Sequence, residues 1–547
     1  MTAAVATASA PAPAAARARA GRAAYALMLR ATWKGGVIWS AVFALTVAST
    51  VKGYAAAFPT PAARALLAVQ FGGNRAFWAL YGVPRALDTA AGFTAWRLGT
   101  FMAILAGVWM LLSATRLLRG EEDDGRWELL VSGAAPPSRL VLATAAALAT
   151  WLAVAWVALT LAMVGLGLAA SGSAAFAAGI VLTGAVFAAV GTLTSQLVPI
   201  RRRASGLAGV VLGLAFLVRV VADGTSGLDW LRWASPFGWG EQIRPFAGEQ
   251  LGPLALLAVS AVAIEWAAVA LQRRRDLGRG LLFADDSVRR RPLWLGSSGA
   301  FSIRRAAWPT VVWAASMGIF AFVLGLLTRG ILDFARESEF TQGIGSRLGG
   351  ATLLTPIGYL GFALTFTVLV AALYAGFRIA ADREEEAASR LDNLLVRPVG
   401  RRTWLLQQAL VAVGGAAAVA LVAALLEWAG AESRGIAVSL PRLLEGGLNA
   451  VPAAVLFTGL GVLVMALLPR ATAGLTLGAI AASYLVQFVG AILRAPGWVL
   501  DLSVFHHVPA VPAAAGDAVS TVALIGIGAA FALAAAWAFG RRDIVAA

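Results

Sequence analysis

The chain has 547 residues, of which 60% are hydrophobic and 13% charged, with a formal net charge of +16 and a mean hydropathy of +0.79. This composition excludes an ordinary soluble protein, and the lack of cysteine excludes disulfides, thiol catalysis and cysteine-ligated metal sites. The excess arginines flank apolar runs, where they can face anionic lipid headgroups, so membrane lipids are expected partners and nucleic acid is not.

Residues 1–30 begin the chain with a segment rich in alanine and proline. The segment has no apolar core followed by a cleavage site, which a signal peptide would need. We therefore interpret it as a disordered cytoplasmic tail.

Twelve apolar runs follow, each long enough to cross ~30 Å of hydrocarbon as a helix. They lie near residues 35–57, 95–115, 140–168, 174–198, 204–222, 251–272, 306–328, 351–377, 403–429, 447–468, 471–493 and 518–540. The predicted fold is an all-α polytopic membrane protein with about twelve transmembrane helices. An even number of spans places both termini on the same side of the membrane.

Arginine-rich segments alternate with apolar runs in a way that fixes the expected orientation. The segments 116–139, 201–203, 273–305, 378–402 and 541–542 all fall on one side of this arrangement. Because basic loops stay in the cytoplasm, we expect a multi-pass protein of the cell membrane with both termini cytoplasmic.

Two sequence matches recur in the same order about 270 residues apart. GTLTSQLVP at 191–199 matches GVLVMALLP at 461–469, and LDWLRW at 228–233 matches LDLSVF at 500–505. Repeated order at similar spacing indicates an internal duplication. It predicts two pseudo-symmetric six-helix halves, residues 31–272 and 306–547, joined by a cytoplasmic linker at 273–305.

Two charged segments interrupt the apolar chain, each after the second span of its half. They are the first acidic block, Arg119–Glu128 (RGEEDDGRWE), and the second acidic block, Asp382–Asp392 (DREEEAASRLD). Carboxylates enter a bilayer only at high cost, so both blocks must lie in water or against another protein. Acids followed by arginines suit a helix dipole, which predicts a short helix along the membrane surface in each block. A solvated, charge-balanced loop is the alternative.

The chain has no nucleotide-binding P-loop. That motif needs a glycine directly before its lysine, whereas Lys34 follows tryptophan and Lys52 follows valine. Transport against a gradient would therefore need either a separate ATPase or an ion gradient.

Ionisable residues inside the predicted spans are few. Glu265 falls in the sixth span and Glu427 near the outer end of the ninth, while Arg219 lies near a span end where it could snorkel. Glu265 is either a proton or cation site or a side chain packed against polar groups between helices. With one deep carboxylate and no counterpart in the second half, proton coupling is disfavoured.

The first acidic block resembles the cytoplasmic loop of type-2 ABC exporter permeases. The shared pattern is acids, Gly-Arg, Glu-Leu-Leu and then proline with arginine before a long span, and it covers Glu121–Leu130 and Glu384–Leu395. Trp233–Phe237 (WASPF) and Phe505–Pro509 (FHHVP) also resemble the family's Ser/His-Pro segment before the last span of a half.

The second block departs from this pattern at two places. It has Ala387 and Ala388 where the first block has Gly125, and Asn393 where the first has Glu128. We therefore expect its contacts to differ from those of the first block.

Both halves in one chain, without an ATPase domain, resemble the actinobacterial exporters of polyketide antibiotics and other drugs. The resemblance implies one permease chain with two copies of a separate ABC ATPase subunit, which binds ATP and Mg²⁺. It implies no cofactor, catalytic residue or metal in this chain. The cargo would be a hydrophobic or amphipathic antibiotic, drug or lipid-like compound moved out of the cell.

The same resemblance implies two sets of functional residues. The set that would couple to the ATPase is Glu121, Glu122, Asp123, Asp124, Gly125, Arg126, Glu128, Leu129, Glu384, Glu385, Glu386, Arg390, Asp392 and Leu394. The set that would line the substrate pathway, on the first, second and fifth spans of each half, is Trp96, Phe101, Trp109, Phe216, Phe320, Phe366, Tyr484 and Phe488.

Two other functions remain open. An ion-coupled secondary multidrug efflux carrier also has twelve spans in two halves, but only Gly125-Arg126 represents its usual Gly-x-x-x-Asp-Arg-x-Gly-Arg-Arg loop. A membrane-embedded enzyme would need a metal or nucleophile constellation, and the adjacent His506 and His507 are the only histidines.

Overall fold

The computed structural model describes residues 14–73, 75–131, 136–282, 296–337, 355–396, 398–493 and 496–543. These residues form helices and connecting turns, with no strand among them. The chain divides into two compact units, Met1–Val288 and Arg289–Ala547. The division falls inside the segment 273–305 that the sequence assigns to a linker.

Six long helices build the first unit. They are α1 (Ala14–Ala57), α2 (Ala90–Thr115), α3 (Pro137–Val164), α4 (Ala170–Leu197), α5 (Arg201–Gly224) and α6 (Leu251–Gln272). Short helices Pro61–Gly72 and Arg75–Tyr81 precede α2, while Asp229–Ala234 and Pro236–Gln242 precede α6.

The beginning of α1 corrects the interpretation of the N-terminus. Since α1 begins at Ala14, residues 14–30 are helical rather than disordered. Alanine and arginine are among the strongest helix formers, and they dominate this stretch. Residues 1–13 lie outside the described part of the chain.

Six long helices also build the second unit. They are α7 (Ser298–Glu337), α8 (Pro356–Ala387), α9 (Arg401–Glu432), α10 (Val451–Leu467), α11 (Thr472–Leu493) and α12 (Ala518–Arg541). Helix Leu440–Leu448 precedes α10, while Gly497–Leu500 and Val504–His507 precede α12. Because α7 begins at Ser298, the last residues assigned to the linker are helical.

Hydropathy confirms the membrane fold. Eleven helices among the described residues are long and apolar enough to cross a membrane. Helix α11, with 22 residues and no charged side chain, completes the twelve expected spans. Only helices satisfy every backbone group within a bilayer, so long apolar runs fold this way.

The two units have the same internal packing. In the first unit, α1 packs on α3, α2 on α4, and α4 on α6; in the second, α7 packs on α9, α8 on α10, and α10 on α12. Small residues permit the closest of these contacts: a Cβ on Gly459 of α10 would lie 2.1 Å from the carbonyl oxygen of Gly528 on α12. This shared packing order agrees with the predicted repeat of two six-helix halves, whose bounds stay a prediction.

Candidate functional site

The first part of the first acidic block continues the second span, and a separate short helix, Arg126–Val131, follows it. Helix α2 extends through a π-helical turn, Arg116–Gly120, and a further turn, Glu121–Asp123. Glu121, Glu122 and Asp123 therefore lie at the C-terminal end of a helix, and Glu128 alone lies in a first turn as the sequence predicted. A helix C-terminus carries partial negative charge, so carboxylates there need compensating cations.

Glu122 is the centre of that compensation. Its Oε2 lies 2.7 Å from Arg119 Nη1 and 2.6 Å from Arg275 Nη2, and its Oε1 accepts a hydrogen bond from Gly278 N at 2.7 Å. The Glu122 side chain is only 4% exposed and Arg119 is fully buried. Since Arg275 follows α6, this buried ion pair ties the end of α2 to the end of α6.

Two further contacts attach the first block to neighbouring helices. Asp123 Oδ2 accepts a hydrogen bond from the backbone N of Arg201, the first residue of α5, at 2.7 Å. A carboxylate at a helix N-terminus pairs with free N–H groups and complements the dipole. Arg275 Nε also donates to Gln196 Oε1 of α4 at 2.9 Å. The block thus connects α2 with α4, α5 and α6.

The opposite face of the first block is open to solvent. Arg126, 55% exposed, lies 2.5 Å from Glu121 Oε2 and 2.6 Å from Asp124 Oδ2. Glu128 is exposed beside them. These charges are paired at the surface and remain accessible to another protein.

A turn separates the buried and exposed faces. Gly125 adopts φ +71°, a conformation that favours glycine. After this turn Trp127 is fully buried and donates to the carbonyl oxygen of Leu117 at 3.3 Å. The turn therefore holds Arg126 outward while Trp127 anchors the segment.

The second acidic block repeats this arrangement 264 residues later. Fully buried Glu386 pairs with Arg383 Nη1 at 3.3 Å and contacts Arg542, which follows α12. Glu386 and Arg383 stand 264 residues after Glu122 and Arg119 (386 − 122 and 383 − 119). The second block thus ties the end of α8 to the end of α12.

The backbone turn also repeats, which corrects the sequence register. Ser389 adopts φ +54° and takes the place of Gly125, again 264 residues later (389 − 125). The sequence comparison instead set Asn393 against Glu128, an offset of 265 (393 − 128), and set Ala387 and Ala388 against the glycine. Neither alignment fits the backbone turn. Apolar runs align equally well in several registers, whereas the positive φ marks one position.

The same offset places an acid in each following helix. Asp392 corresponds to Glu128 (392 − 128 = 264). Each lies in the first turn of a short helix, Asp392–Leu395 and Arg126–Val131 respectively. The expected loss of this acid to Asn393 is therefore wrong. Leu391, almost fully buried, corresponds to Trp127.

The exposed face of the second block matches the first as well. Arg390, 56% exposed, donates Nε to Glu385 Oε2 and Nη2 to Glu385 Oε1, both at 3.0 Å. Glu384 and Asp392 are exposed nearby, and Leu394 is half-buried. The side chain of Leu129 in the first block lies outside the described part of the chain.

One buried ion cluster occurs in the second block without a counterpart in the first. Asp382, 2% exposed, contacts Arg305 of α7, lies 3.4 Å from Arg378 Nη2 and accepts from Gln408 Nε2 of α9 at 3.3 Å. The equivalent position in the first block (382 − 264) is Leu118, which is buried in an apolar cluster. This cluster links α7, α8 and α9.

Sequence reasoning missed the basic partners of both blocks. Arg275, Arg305 and Arg542 each flank an apolar run and read as ordinary positive-inside arginines. Their carboxylates lie far away in sequence, 153 residues in the case of Glu122 and Arg275. The spacing of Glu121 to Arg126 and of Glu385 to Arg390, five residues in each block, is a signal that could have aligned the exposed faces.

A second charged group, the Arg219 cluster, consists of Arg219, Asp223, Asp229, Arg232 and Glu241. Arg219 Nε lies 2.8 Å from Asp223 Oδ2 and 2.5 Å from Glu241 Oε1, with its side chain fully buried. The expectation that Arg219 snorkels to the interface is therefore wrong. Two carboxylates already satisfy its charge inside the protein.

The remaining members complete the Arg219 cluster. Arg232 Nε lies 2.5 Å from Asp223 Oδ1, and its Nη2 lies 2.9 Å from Asp229 Oδ1. Burial raises the pKa of Glu241 to about 8; Arg219 opposes this rise and nearby Asp223 contributes to it. The cluster fixes the α5–α6 connection to the end of α5.

The predicted pathway aromatics of the first unit lie in several separate groups. Trp96 is buried and donates to the carbonyl oxygen of Gly82 at 2.7 Å, while Trp109 stacks on Trp39 with ring centroids 6.2 Å apart. Phe216 packs edge-on against Phe237, and Phe101 is 59% exposed. The pathway role of these residues stays a prediction.

In the second unit, two of the predicted pathway residues meet. Phe320 of α7 and Phe366 of α8 pack edge-on with centroids 6.3 Å apart. Tyr484 instead contacts Phe505, with centroids 5.6 Å apart. The side chain of Phe488 lies outside the described residues.

The two intramembrane carboxylates have different surroundings. Glu265 of α6 is half-buried with the Thr192 hydroxyl of α4 as its polar neighbour. Glu427 of α9 is fully buried, and neither of its carboxylate oxygens has a hydrogen-bond partner in the part of the chain that the structure describes. The role of Glu265, either a proton or cation site or a side chain packed between helices, stays a prediction.

The two histidines lie beside a carboxylate. His506 Nε2 is 3.7 Å from Asp501 Oδ1, and His507 Nε2 is 2.9 Å from the carbonyl oxygen of Asp501. Within the described ranges no group of three or more His, Cys, Asp or Glu residues could hold a metal ion.

Comparison with known proteins identifies the family. Residues 295–540, which contain the whole second acidic block, match the family model described as the C-terminal domain of the multidrug efflux system permease Rv1217c. Over 498 residues the chain is 30% identical to the multidrug efflux system permease protein Rv1217c of Mycobacterium tuberculosis, covering 89% of this chain and 88% of that protein. The resemblance inferred from the charged blocks is confirmed, and the chain belongs to this family of multidrug efflux system permeases.

Proposed function

We propose that this chain is the transmembrane subunit of an ATP-driven ABC exporter, with both termini in the cytoplasm. It carries a hydrophobic or amphipathic compound out of the cell. The family supports efflux. One observation supports ATP as the energy source: both acidic blocks have the same two faces. One face carries an exposed Arg–Glu pair, and the other carries a buried ion pair to the arginine after the last span of that half.

The exposed faces supply two equivalent docking points. Glu121 with Arg126, and Glu385 with Arg390, present paired charges that a complementary protein surface can engage. Two docking points in one chain require two ATPase subunits, and those subunits would bind ATP and Mg²⁺.

The buried faces supply the transmission. A push on the exposed face of the first block acts on the end of α2, and the Glu122–Arg275 pair passes it to α6. Breaking such a pair would leave a buried charge without a partner, so the helix ends move together. The cycle we propose is closure of two ATPases on ATP, displacement of both blocks, and opening of the pathway to the outside.

An ion-coupled secondary carrier is the second candidate, and Glu427 is the observation that favours it. A buried carboxylate without a hydrogen-bond partner among the described residues is the kind of group that proton-coupled carriers use. The second candidate predicts transport without any ATPase.

Proteoliposomes separate the two candidates. The chain is reconstituted with the ABC ATPase that co-purifies with it, and ATP-dependent uptake of a fluorescent hydrophobic drug is measured in inside-out vesicles. The double variant Arg126→Glu with Arg390→Glu is expected to abolish uptake, because it places like charges against Glu121 and Glu385.

The matched control is Arg202→Glu, which reverses an exposed arginine outside both blocks and is expected to retain uptake. Uptake driven by a proton gradient without ATPase, and lost in Glu427→Gln, would contradict the proposal and establish the secondary carrier.

A further inference from the structure

A cavity of about 480 Å³ lies within the first unit, between α1, the end of α2 and the beginning of α5. Four cations line it: Arg30 and Lys34 of α1, Arg116 after α2, and Arg201 of α5. Its lining contains no carboxylate, and none of the four cations forms an ion pair within the described ranges. The cavity therefore concentrates four positive charges, although the Asp123 carboxylate accepts a hydrogen bond from the backbone N of Arg201 at its edge.

Three tryptophans form its apolar wall. Trp39 stacks on Trp109 with centroids 6.2 Å apart, and Trp33 is 52% exposed. Lys34 Nζ lies 5.9 Å from the Trp33 ring. Cations beside aromatic faces suit a ligand with a charged end and an apolar body.

One of the cations is held in position by the backbone. Arg116 Nη2 donates to the carbonyl oxygen of Ala31 at 2.8 Å, and among the described residues its guanidinium makes no other hydrogen bond or ion pair. An oriented guanidinium forms charge-assisted hydrogen bonds with phosphate or carboxylate at a reduced entropic cost. The cavity is therefore shaped for an anionic group.

The expected position of the cavity in the membrane agrees with a ligand that has an anionic group. The cavity lies at the ends of α2 and α5 that carry arginines, which the positive-inside rule assigns to the cytoplasmic surface. Tryptophans concentrate at the headgroup level, where the cytoplasmic leaflet holds anionic lipids.

We infer that this cavity binds the anionic headgroup of a single amphiphile, whose apolar body lies against Trp33, Trp39 and Trp109. The cavity would then be the entrance for cargo, and anionic amphiphiles would be the transported substrate class. This part of the inference rests on the proposed export function. Binding itself needs neither ATP nor the ATPase.

Binding is tested on the full chain in phosphatidylcholine nanodiscs by calorimetric titration with dodecyl phosphate, with empty nanodiscs subtracted. The variant Arg30→Gln with Lys34→Gln is expected to raise Kd roughly tenfold or more, since it removes two charge-assisted contacts. Dodecyl maltoside, with the same chain and no charge, and inorganic phosphate, with no chain, are expected to bind far more weakly.

The matched control is Arg202→Gln with Arg203→Gln. These arginines are exposed on α5 beside the cavity but do not line it, so Kd for dodecyl phosphate should not change. An equal loss in both double variants, or no loss in either, overturns the inference. Thermal unfolding of each variant verifies that the fold is intact.

A second arm distinguishes cargo from resident lipid. Nanodiscs containing phosphatidylcholine and phosphatidylglycerol are dissolved, and the lipids retained on the chain are identified by native mass spectrometry. Phosphatidylglycerol retained by the parent and lost in Arg30→Gln with Lys34→Gln assigns the site to a lipid; saturable dodecyl phosphate binding without such retention assigns it to cargo. If neither phosphatidylglycerol retention nor dodecyl phosphate binding is observed, the inference is overturned, and the proposal of ATP-driven export is unaffected. If ATP-driven export fails, the binding result is likewise unaffected.

Discussion

The two acidic blocks share their central ion pair and differ in the contacts around it. Both hold a buried glutamate between an arginine three residues earlier and an arginine after the last span of the half. The first block adds a cap on α5 through Asp123, where the second has Ala387. The second adds the Asp382 cluster, where the first has Leu118. The duplication therefore separates what both halves retain from what each half gained.

The largest loss of stability is expected from the buried Glu–Arg pairs that both acidic blocks share. Replacing Glu122 or Glu386 with Ala leaves buried arginines without their partner, which costs about 3–5 kcal/mol of unfolding free energy. Denaturant unfolding of the purified chain in detergent measures both variants. Glu384→Ala, at an exposed acid of the second block, is the control and should remain near the parent.

Equal losses in the two halves would support a common centre. A loss confined to one half would mean that the two buried pairs are not equivalent.

The next largest loss of stability is expected at the Asp382 cluster, which occurs only in the second block. Asp382→Asn keeps the shape but removes the charge that Arg305 and Arg378 share, at a cost of about 1.5–3 kcal/mol. The same unfolding measurement applies. Leu118→Asn, at the equivalent apolar position, is the comparison, and it should also destabilise because it buries an amide in an apolar cluster.

A double variant tests whether the Asp382 cluster is independent of the shared centre. Additive losses in Asp382→Asn with Glu386→Ala would support independence, whereas strong coupling would merge the two clusters into one.

Substitutions at the turn between the two faces should change the unfolding free energy less, and in opposite directions in the two blocks. Gly125→Ala places a side chain at φ +71° and costs about 1–2 kcal/mol, although no atom lies near the added Cβ. Ser389→Gly relieves φ +54° and gains up to about 1 kcal/mol. Stabilisation by Gly125→Ala would show that the turn is not needed.

The smallest effect belongs to the α5 cap. Asp123→Ala removes a carboxylate from the N-terminus of α5 and should cost about 1 kcal/mol. Hydrogen exchange should become faster at the Arg201 amide. Asp124→Ala, whose carboxylate is exposed and pairs only with Arg126 in the described part of the chain, should leave that amide unchanged.

The spans were predictable because lipid leaves an apolar run no other fold, and the sixth span was placed at 251–272, the bounds of α6. The alignment of the two acidic blocks was not predictable, because their apolar residues align in several ways. Only the positive φ of Ser389 decides which residue corresponds to Gly125. The partners of Glu122 and Glu386 were also hidden. Contacts between Glu122 and Arg275 depend on tertiary packing, and no local pattern encodes them.

The measurement that tests the central claim most directly is the number of ATPase subunits bound per chain, determined by native mass spectrometry of the purified complex. Our account predicts two subunits on the parent, one on Arg126→Glu, one on Arg390→Glu and none on the double variant. Two subunits on the double variant, or none on the parent, would contradict docking at the acidic blocks.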